Sequence, residues 1–429
     1  MNSCLALIAV RRRKSLVGAI VFASAAVVTL ILWWRWRPSV QPPERVVSER
    51  TRAAVRAEER RKDREDIIVP GLRQSVTTEN HESCSRVLWT MKWTNYREAD
   101  SLAPMRDMLR QTAWPEESRR LLLETCYALQ PDALAAEMES LAAEETDPRL
   151  WAMAVAYGRR ATGKPAAVPR AATDTFRHDP RVLAAQSEDR EPRAALAQRT
   201  PPLTDLLAWD FGDRPVVFSF QRANRDFPGR AAVRRADGTW LTHDDGAVWT
   251  VRQFARSVSN LPGTITNGNT PAGVMGLREL AFARNAAIGP TRALTLALPG
   301  EYEPWTHREY ERLLPPSWRG HWPMQEAWWA GQVGRNEIMA HGTTIDPESW
   351  LGSPFYPLTP SHGCLTCHEE WSPQTGERRH SDQQDLVDAV VRAGGAPAWF
   401  VVVECESPET SATPVSAEEI EGFIRTRTP

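Results

Sequence analysis

The residues best suited to chemistry lie together late in the chain, where His362, Gly363 and Cys364 are consecutive and follow His341. A thiolate is the nucleophile of cysteine catalysis, and it needs a nearby base or cation to form at neutral pH. On extended backbone the side chains of His362 and Cys364 share a face, and Gly363 lets a substrate approach the main chain closely. His341 offers a second imidazole. The pattern favours acyl transfer through a thioester.

The same cysteine begins two alternative patterns. Cys364, Cys367 and His368 form a C-x-x-C-H match, which is typical of covalent haem attachment in c-type cytochromes. No methionine follows Met339, so a downstream methionine axial ligand is absent and His380 is a candidate for that role. Zinc is a third interpretation, with these two cysteines and two histidines as ligands, and a redox pair of the two thiols belongs beside it. We rank the nucleophile first.

Two linked motifs resemble the signature of the L,D-transpeptidase (YkuD-type) catalytic domain, which is a His-Gly pair, a loop, and then Ser-His-Gly-Cys. His341 and Gly342 supply the pair, and the second motif runs from Ser361 to Cys364. That family also has a Thr-Pro-x-Gly turn upstream, which residues 270–273 match. The paired motifs carry the resemblance, and the turn adds to it.

The resemblance covers residues 205–405 and implies an enzyme that acts on peptidoglycan outside the cytoplasmic membrane, without a metal or an organic cofactor. It implies that Cys364 attacks a donor stem peptide at the L,D bond beside the terminal D-residue. D-alanine would leave, and the amine of an acceptor stem would resolve the thioester. By the same resemblance His341 is the general base, His362 supports the site or polarises the carbonyl, and Gly363 permits a tight turn.

The sequence also departs from that family's pattern. The loop between His341 and Ser361 holds 19 residues, slightly more than is usual in the family. We expect its Tyr356 to reshape the substrate groove, and Tyr356, Ser361 and Gly342 to contact the substrate. The family commonly has Asn or Arg two positions after the nucleophile, where this chain has Thr366. These differences concern the acceptor more than the formation of the acyl-enzyme.

Short β-rich segments must position these motifs. One helix is also well marked, since Ser381 is a capping residue, Gln384 follows three positions later, and Gly394 ends the apolar pattern. We therefore expect a mainly β catalytic domain over residues 203–406. The predicted strands are 215–220, 231–240 (a hairpin around Asp237-Gly238), 292–298, 337–341 and 399–404.

The sequence pattern of residues 76–162 predicts helices. Pro115, Pro131 and Pro148 each suit a first helical turn, and a spacing of about 33 residues per helix pair resembles a short α-solenoid. Such a helical-repeat-like, all-α unit is typical of protein binding or of a spacer, so a protein partner is expected there.

An apolar run at residues 16–34 is long enough to span a bilayer and follows a basic cluster. We expect an uncleaved single-pass anchor in the cytoplasmic (inner) membrane, with the catalytic domain on the extracytoplasmic, periplasmic side. A cleaved signal peptide is the alternative. The remaining predicted segments are a cytoplasmic tail (1–15), a charged stalk (35–75), a linker (163–202) and a C-terminal tail (407–429).

The charge composition limits the kinds of partner that the protein can bind. Lys and Arg number 52 against 54 for Asp and Glu, so the net charge of −2 argues against a nucleic-acid partner bound by bulk charge. The sequence thus predicts a multidomain protein with a transmembrane helix, a small all-α domain and a mainly β L,D-transpeptidase-like domain. The functional hypothesis is a peptidoglycan acyltransferase. The alternatives are a membrane-anchored c-type cytochrome and a catalytically inactive cell-wall-binding module.

Overall fold

Helices dominate the first half of the described chain, and the strands lie after residue 215, five of them in succession before the next α-helix. The computed structural model describes residues 46–165, 167–190, 200–302, 304–405 and 410–425. The helices are α1 (Ala53–Lys62), α2 (Val69–Leu72), α3 (His81–Trp93), α4 (Leu102–Leu109), α5 (Glu116–Leu129), α6 (Ala135–Glu144), α7 (Pro148–Thr162), α8 (Asp174–Arg177), α9 (Pro180–Arg190), α10 (Leu203–Ala208), α11 (His307–Glu311), α12 (Trp322–Gln332), α13 (Asp382–Arg392) and α14 (Ala417–Arg425). The strands are β1 (Val216–Gln221), β2 (Gly229–Arg234), β3 (Thr250–Gln253), β4 (Gly273–Ala281), β5 (Ala293–Ala297), β6 (Met339–His341), β7 (Leu365–Thr366), β8 (Glu369–Trp371), β9 (Arg378–Ser381) and β10 (Ala398–Glu404).

Eight of these strands form one mixed sheet in the order β3-β2-β1-β10-β4-β5-β6-β7. The pairs β1–β10 and β6–β7 are parallel, and the other neighbours are antiparallel. Phe254, directly after β3, exchanges two backbone hydrogen bonds of 2.8 Å with Thr366 of β7. The two edge strands therefore meet, and the sheet curls into a nearly closed barrel, which leaves little unpaired edge.

The apolar character of the central strands explains their position. All six residues of β1 are buried, and β10 beside it is buried over most of its length. Strands that are covered on both faces read as continuous apolar runs, because neither face meets water. Helix α12 packs against β4 and β10, and α13 packs against β2, β3 and β5.

Several local predictions are confirmed. The five predicted strand segments correspond to β1, β2, β5, β6 and β10, and Arg234 bridges Trp240 across the predicted turn. The hydroxyl of Ser381 accepts a 2.9 Å hydrogen bond from the N–H of Gln384 at the start of α13, as a capping residue does. Pro148 occupies the first position of α7, which Asp147 caps.

The predicted fold class is wrong. Helices occur throughout the described chain, the sheet is a mixed near-barrel, and the residues from Val47 onward form one compact unit. The apolar core of the N-terminal helices includes Leu261 and Ile265, which lie between β3 and β4. The strands have an apolar core of their own, and the loop between β3 and β4 packs into the core of the helices.

None of the helices in the described ranges is both long enough and apolar enough to cross a membrane. The predicted anchor at residues 16–34 and the tail before it lie outside the described residues.

Candidate active site

The predicted chemical residues meet at a cavity of about 420 Å³. β6 ends at His341, and β7 begins at Leu365, directly after Cys364. Because β6 and β7 are parallel neighbours, the two motifs come together although a long loop separates them. The cavity wall includes His341, Ser361, His362, Gly363 and Cys364.

Both motif glycines are needed because the space for a side chain is already filled. Gly363 has φ +109°, and a Cβ there would overlap the guanidinium of Arg335 and lie 2.8 Å from the carbonyl oxygen of Gly268. A Cβ on Gly342 would overlap the buried carboxylate of Glu369. The positive φ of Gly363 agrees with the expected tight turn. Gly342 packs against Glu369 and does not line the cavity, so the expected substrate contact at Gly342 is not seen.

The thiol of Cys364 is neutral in its resting state. Burial raises its pKa, while hydrogen bonds with the backbone of Met339 and with Ser361, and the charge of Arg335, act in the opposite direction. Its Sγ also lies 3.6 Å from the carbonyl oxygen of Glu337. A neutral thiol is a weak nucleophile, so attack requires a base that removes its proton.

His341 has the properties of that base. Its Nδ1–H donates to the carbonyl oxygen of Gly342 at 2.6 Å, which leaves Nε2 as the unprotonated nitrogen of a neutral ring. Burial lowers the pKa of His341 to about 4, so the ring stays neutral at pH 7. Its Nε2 lies 3.2 Å from Oγ of Ser361, which can donate to it.

Ser361 lies beside the base and the thiol. Its hydroxyl is hydrogen-bonded to His341, and it favours the thiolate form of Cys364. Its carbonyl oxygen accepts a 2.7 Å hydrogen bond from Val258, so the loop is fixed against the chain after β3. One hydroxyl is therefore close to both the base and the thiol.

Arg335 also lines the cavity, and sequence reasoning missed it. It is buried, and its guanidinium donates to the carbonyl oxygens of Gly263, Asn269 (2.9 Å) and Gly268 (3.1 Å). Burial lowers its pKa to about 10, which leaves it charged at neutral pH. Its positive charge favours the thiolate form of Cys364. No local motif marks Arg335 in the sequence.

His362 lies against helix α3. Its ring centroid is 4.8 Å from that of Trp89 and 4.8 Å from that of Trp93. Burial, followed by the charge of Lys92, lowers the pKa of His362 to about 4. Its Nε2 is buried and has no hydrogen-bond partner among the described residues. The expectation that His362 and Cys364 share a face requires extended backbone between them. Gly363 has a positive φ, so the backbone there is not extended.

A buried ion pair fixes the helical side of the cavity. Nζ of Lys92 lies 2.5 Å from a carboxylate oxygen of Glu124, and both side chains are almost fully buried. Arg120 also pairs with Glu124. Asn267, which lines the cavity, donates to Glu124 at 2.9 Å. Helices α3 and α5 therefore hold one wall of the site directly.

Tyr356 is not brought to the cavity. It is 39% exposed, and its hydroxyl donates to Glu348 at 2.9 Å on the long loop. Of the predicted substrate contacts, Ser361 alone lies on the cavity wall.

The geometry does not suit the haem or zinc interpretation. Cys364 faces the cavity, whereas Cys367 lies fully buried in the apolar core with its Sγ 3.9 Å from Gln253. Covalent haem attachment needs two accessible sulfurs at one face. Among the described residues, the group whose ligand atoms converge is His380, Asp382 and Asp385, which omits both cysteines.

No family model, curated protein or solved structure matches this chain. The functional assignment therefore depends on the geometry of the cavity and on the resemblance of its two motifs.

Proposed function

We propose that this protein is a cysteine acyltransferase that acts on peptidoglycan stem peptides, by L,D-transpeptidation or L,D-carboxypeptidation through a Cys364 thioester. One observation carries the proposal: Cys364, Ser361 and a neutral His341 line one cavity wall, with the Ser361 hydroxyl 3.2 Å from Nε2 of His341. The motif resemblance to L,D-transpeptidases supplies the substrate class.

The first step forms the acyl-enzyme. Sγ of Cys364 attacks the carbonyl carbon of the L,D peptide bond, and its proton passes through Ser361 to Nε2 of His341. The C–N bond then breaks, and D-alanine leaves with the proton that His341 returns to its nitrogen. A thioester to Cys364 remains.

The second step releases the acyl group. The amine of an acceptor stem attacks the thioester carbonyl and gives a proton to His341, and the departing sulfur recovers a proton through Ser361. Water in place of the amine gives carboxypeptidation. Neutral His341 suits both steps, because its Nε2 accepts a proton at the start of each and returns it at the end.

Arg335 contributes a fixed positive charge. The charge stabilises the thiolate as it forms and again as the thioester breaks, and it needs no rearrangement because three backbone carbonyls hold the guanidinium. We place the reaction outside the cytoplasmic membrane, where peptidoglycan lies, with the predicted anchor at residues 16–34 holding the enzyme there.

The test is mass mapping of stem peptides after incubation with the full-length protein and with Cys364→Ala. Wild type should shorten tetrapeptide stems by one D-alanine or join them into cross-linked dimers, and the variant should leave them unchanged. Unchanged stems after incubation with folded wild-type protein would refute the proposal. Wall binding without any change in the stems would instead support the non-catalytic module.

A further inference from the structure

A second cavity adjoins the one that contains Cys364. It measures about 360 Å³. Five residues line both cavities, which makes them two arms of one groove: Trp89, Trp93, Asn285, Ala287 and Ile345. A groove of this kind suits a substrate that extends well beyond the reacting bond, because each arm can bind a different part of it.

Trp89 stands where the two arms meet. It is one of the few large apolar residues that are strongly exposed among the described residues, at 45%. Its ring packs beside His362 and near Nζ of Lys92, 4.9 Å from the ring centroid, which fixes its orientation. An exposed, rigid indole at a cavity wall offers a flat apolar surface for stacking, and its N–H forms no hydrogen bond with any residue that the structure describes.

The second arm is rich in charged side chains, but their signs balance. Three guanidinium groups face three carboxylates, so the arm has no net charge that would select an anion or a cation. A planar guanidinium or carboxylate group can also form two hydrogen bonds, side by side, to adjacent hydroxyls of a neutral ligand. The charged residues of this arm are Arg50, Arg56, Arg60, Glu59, Asp63 and Asp346.

The three arginines are largely occupied within the arm. Arg56 donates from Nη2 to the carbonyl oxygens of Thr344 (3.1 Å) and Ile345 (3.3 Å), and its Nε lies 3.9 Å from a carboxylate oxygen of Asp346. Among the described residues, the carboxylate of Asp63 accepts no hydrogen bond, and burial raises its pKa. A carboxylate that is free to accept hydrogen bonds, beside an aromatic surface, matches a hydroxyl-rich ligand.

We propose that the second arm of the groove binds the glycan strand of the substrate, with an N-acetylated hexosamine stacked on Trp89. This inference rests on the proposed function, because the stems that Cys364 would cleave are attached to such a glycan. The sugar would anchor the polymer while the stem enters the first arm. Recognition of the glycan would favour polymeric substrate over free peptide.

Calorimetric titration with the tetramer of N-acetylglucosamine tests the binding directly and does not require catalysis. Trp89→Ala should weaken binding at least about tenfold, and Trp89→Phe should retain part of the affinity because a ring remains. Phe282→Ala removes a 65% exposed aromatic residue that lines neither cavity, and it should bind like wild type. Equal affinities for wild type and Trp89→Ala, or no binding by wild type at millimolar tetramer, would overturn the proposal.

A second measurement separates this inference from the proposed function. The rate of D-alanine release is compared for a disaccharide-linked tetrapeptide and for the free tetrapeptide. The ratio of the two rates should exceed one in wild type and fall toward one in Trp89→Ala. Because both rates depend equally on Cys364, damage near the cysteine cancels in the ratio. A ratio of one in active wild type contradicts glycan recognition alone, whereas tetramer binding without release of D-alanine contradicts the proposed function alone.

Discussion

The imidazole of His362 stacks on the indole of Trp93 with ring centroids 4.8 Å apart and 22° between the ring planes. These two residues are far apart in sequence, and their contact joins helix α3 to the loop that carries Cys364. The stack, together with the bond from Asn267 to Glu124, makes the N-terminal helices part of the candidate active site.

Burial of His362 should make the protein sensitive to acid. Its pKa is lowered to about 4 in the folded state, so the unfolded chain binds a proton first, and stability falls as the pH falls from 6.5 toward 4. His362→Phe keeps an aromatic stack but cannot titrate. Between pH 7 and pH 5 the variant should lose about 2 kcal/mol less of its free energy of unfolding than wild type does.

Urea unfolding at the two pH values measures this difference. His341 titrates in the same range in both proteins, so its contribution cancels in the comparison. Equal losses in wild type and variant would show that His362 is solvated or paired in the folded protein.

The pKa of His341 should set the acidic limb of the pH–rate profile. Burial lowers its pKa to about 4, so the acylation rate should rise with pH through about 4 and stay level at neutral pH. In His341→Gln the base is absent, and the rate should climb toward alkaline pH as the thiol of Cys364 ionises. The decay of carbapenem absorbance across the pH range gives both profiles. An acid limb near 6.5 in wild type would contradict a buried, neutral His341.

Ser361 should be needed as a hydroxyl and not merely as a small residue. Ser361→Ala removes the hydroxyl through which the proposed proton transfer from Cys364 to His341 passes, and it should slow D-alanine release by about 100-fold at pH 7, a typical contribution of general base catalysis. Ser361→Thr retains the hydroxyl and should lose about tenfold or less. Ser353→Ala, on the same loop, is the matched control. A full rate in Ser361→Ala would mean that His341 reaches the thiol without it.

The buried ion pair between Lys92 and Glu124 should contribute strongly to the stability of helices α3 and α5, which hold one wall of the site. Lys92→Met leaves a buried carboxylate with Arg120 as its remaining cation, and it should cost about 3 kcal/mol of unfolding free energy. The control is Lys164→Met, whose pair with Glu139 is more than 60% exposed on both sides and should change stability by about 0.5 kcal/mol or less. Equal effects of the two substitutions in urea unfolding would contradict this difference.

The sequence was sufficient to select His341, Ser361 and Cys364, which the structure brings to one cavity, and to predict the strands nearest to them. The three residues belong to short motifs, and the strands beside them have clear apolar patterns. The capping of α13 by Ser381 was equally local and equally predictable. In each case the deciding interactions lie within a few residues along the chain.

The remainder of the site depends on contacts between distant parts of the chain. Trp89 and Trp93 lie four positions apart on one helix face, which signals an aromatic surface but not that His362 would occupy it. Arg335 binds backbone carbonyls of a distant loop, and no side-chain pattern indicates such partners. The error in the fold class has the same origin, because Leu261 enters the helical core from a loop between strands.

The most direct measurement is the intact mass of the full-length protein after incubation with a carbapenem under reducing conditions, followed by peptide mapping. A nucleophilic Cys364 assisted by Ser361 and His341 should open the lactam ring, so wild type should gain the mass of one carbapenem at Cys364 and Cys364→Ala should gain none. No adduct on folded wild type, or an equal adduct on Cys364→Ala, would contradict the proposal that Cys364 is an acylated nucleophile.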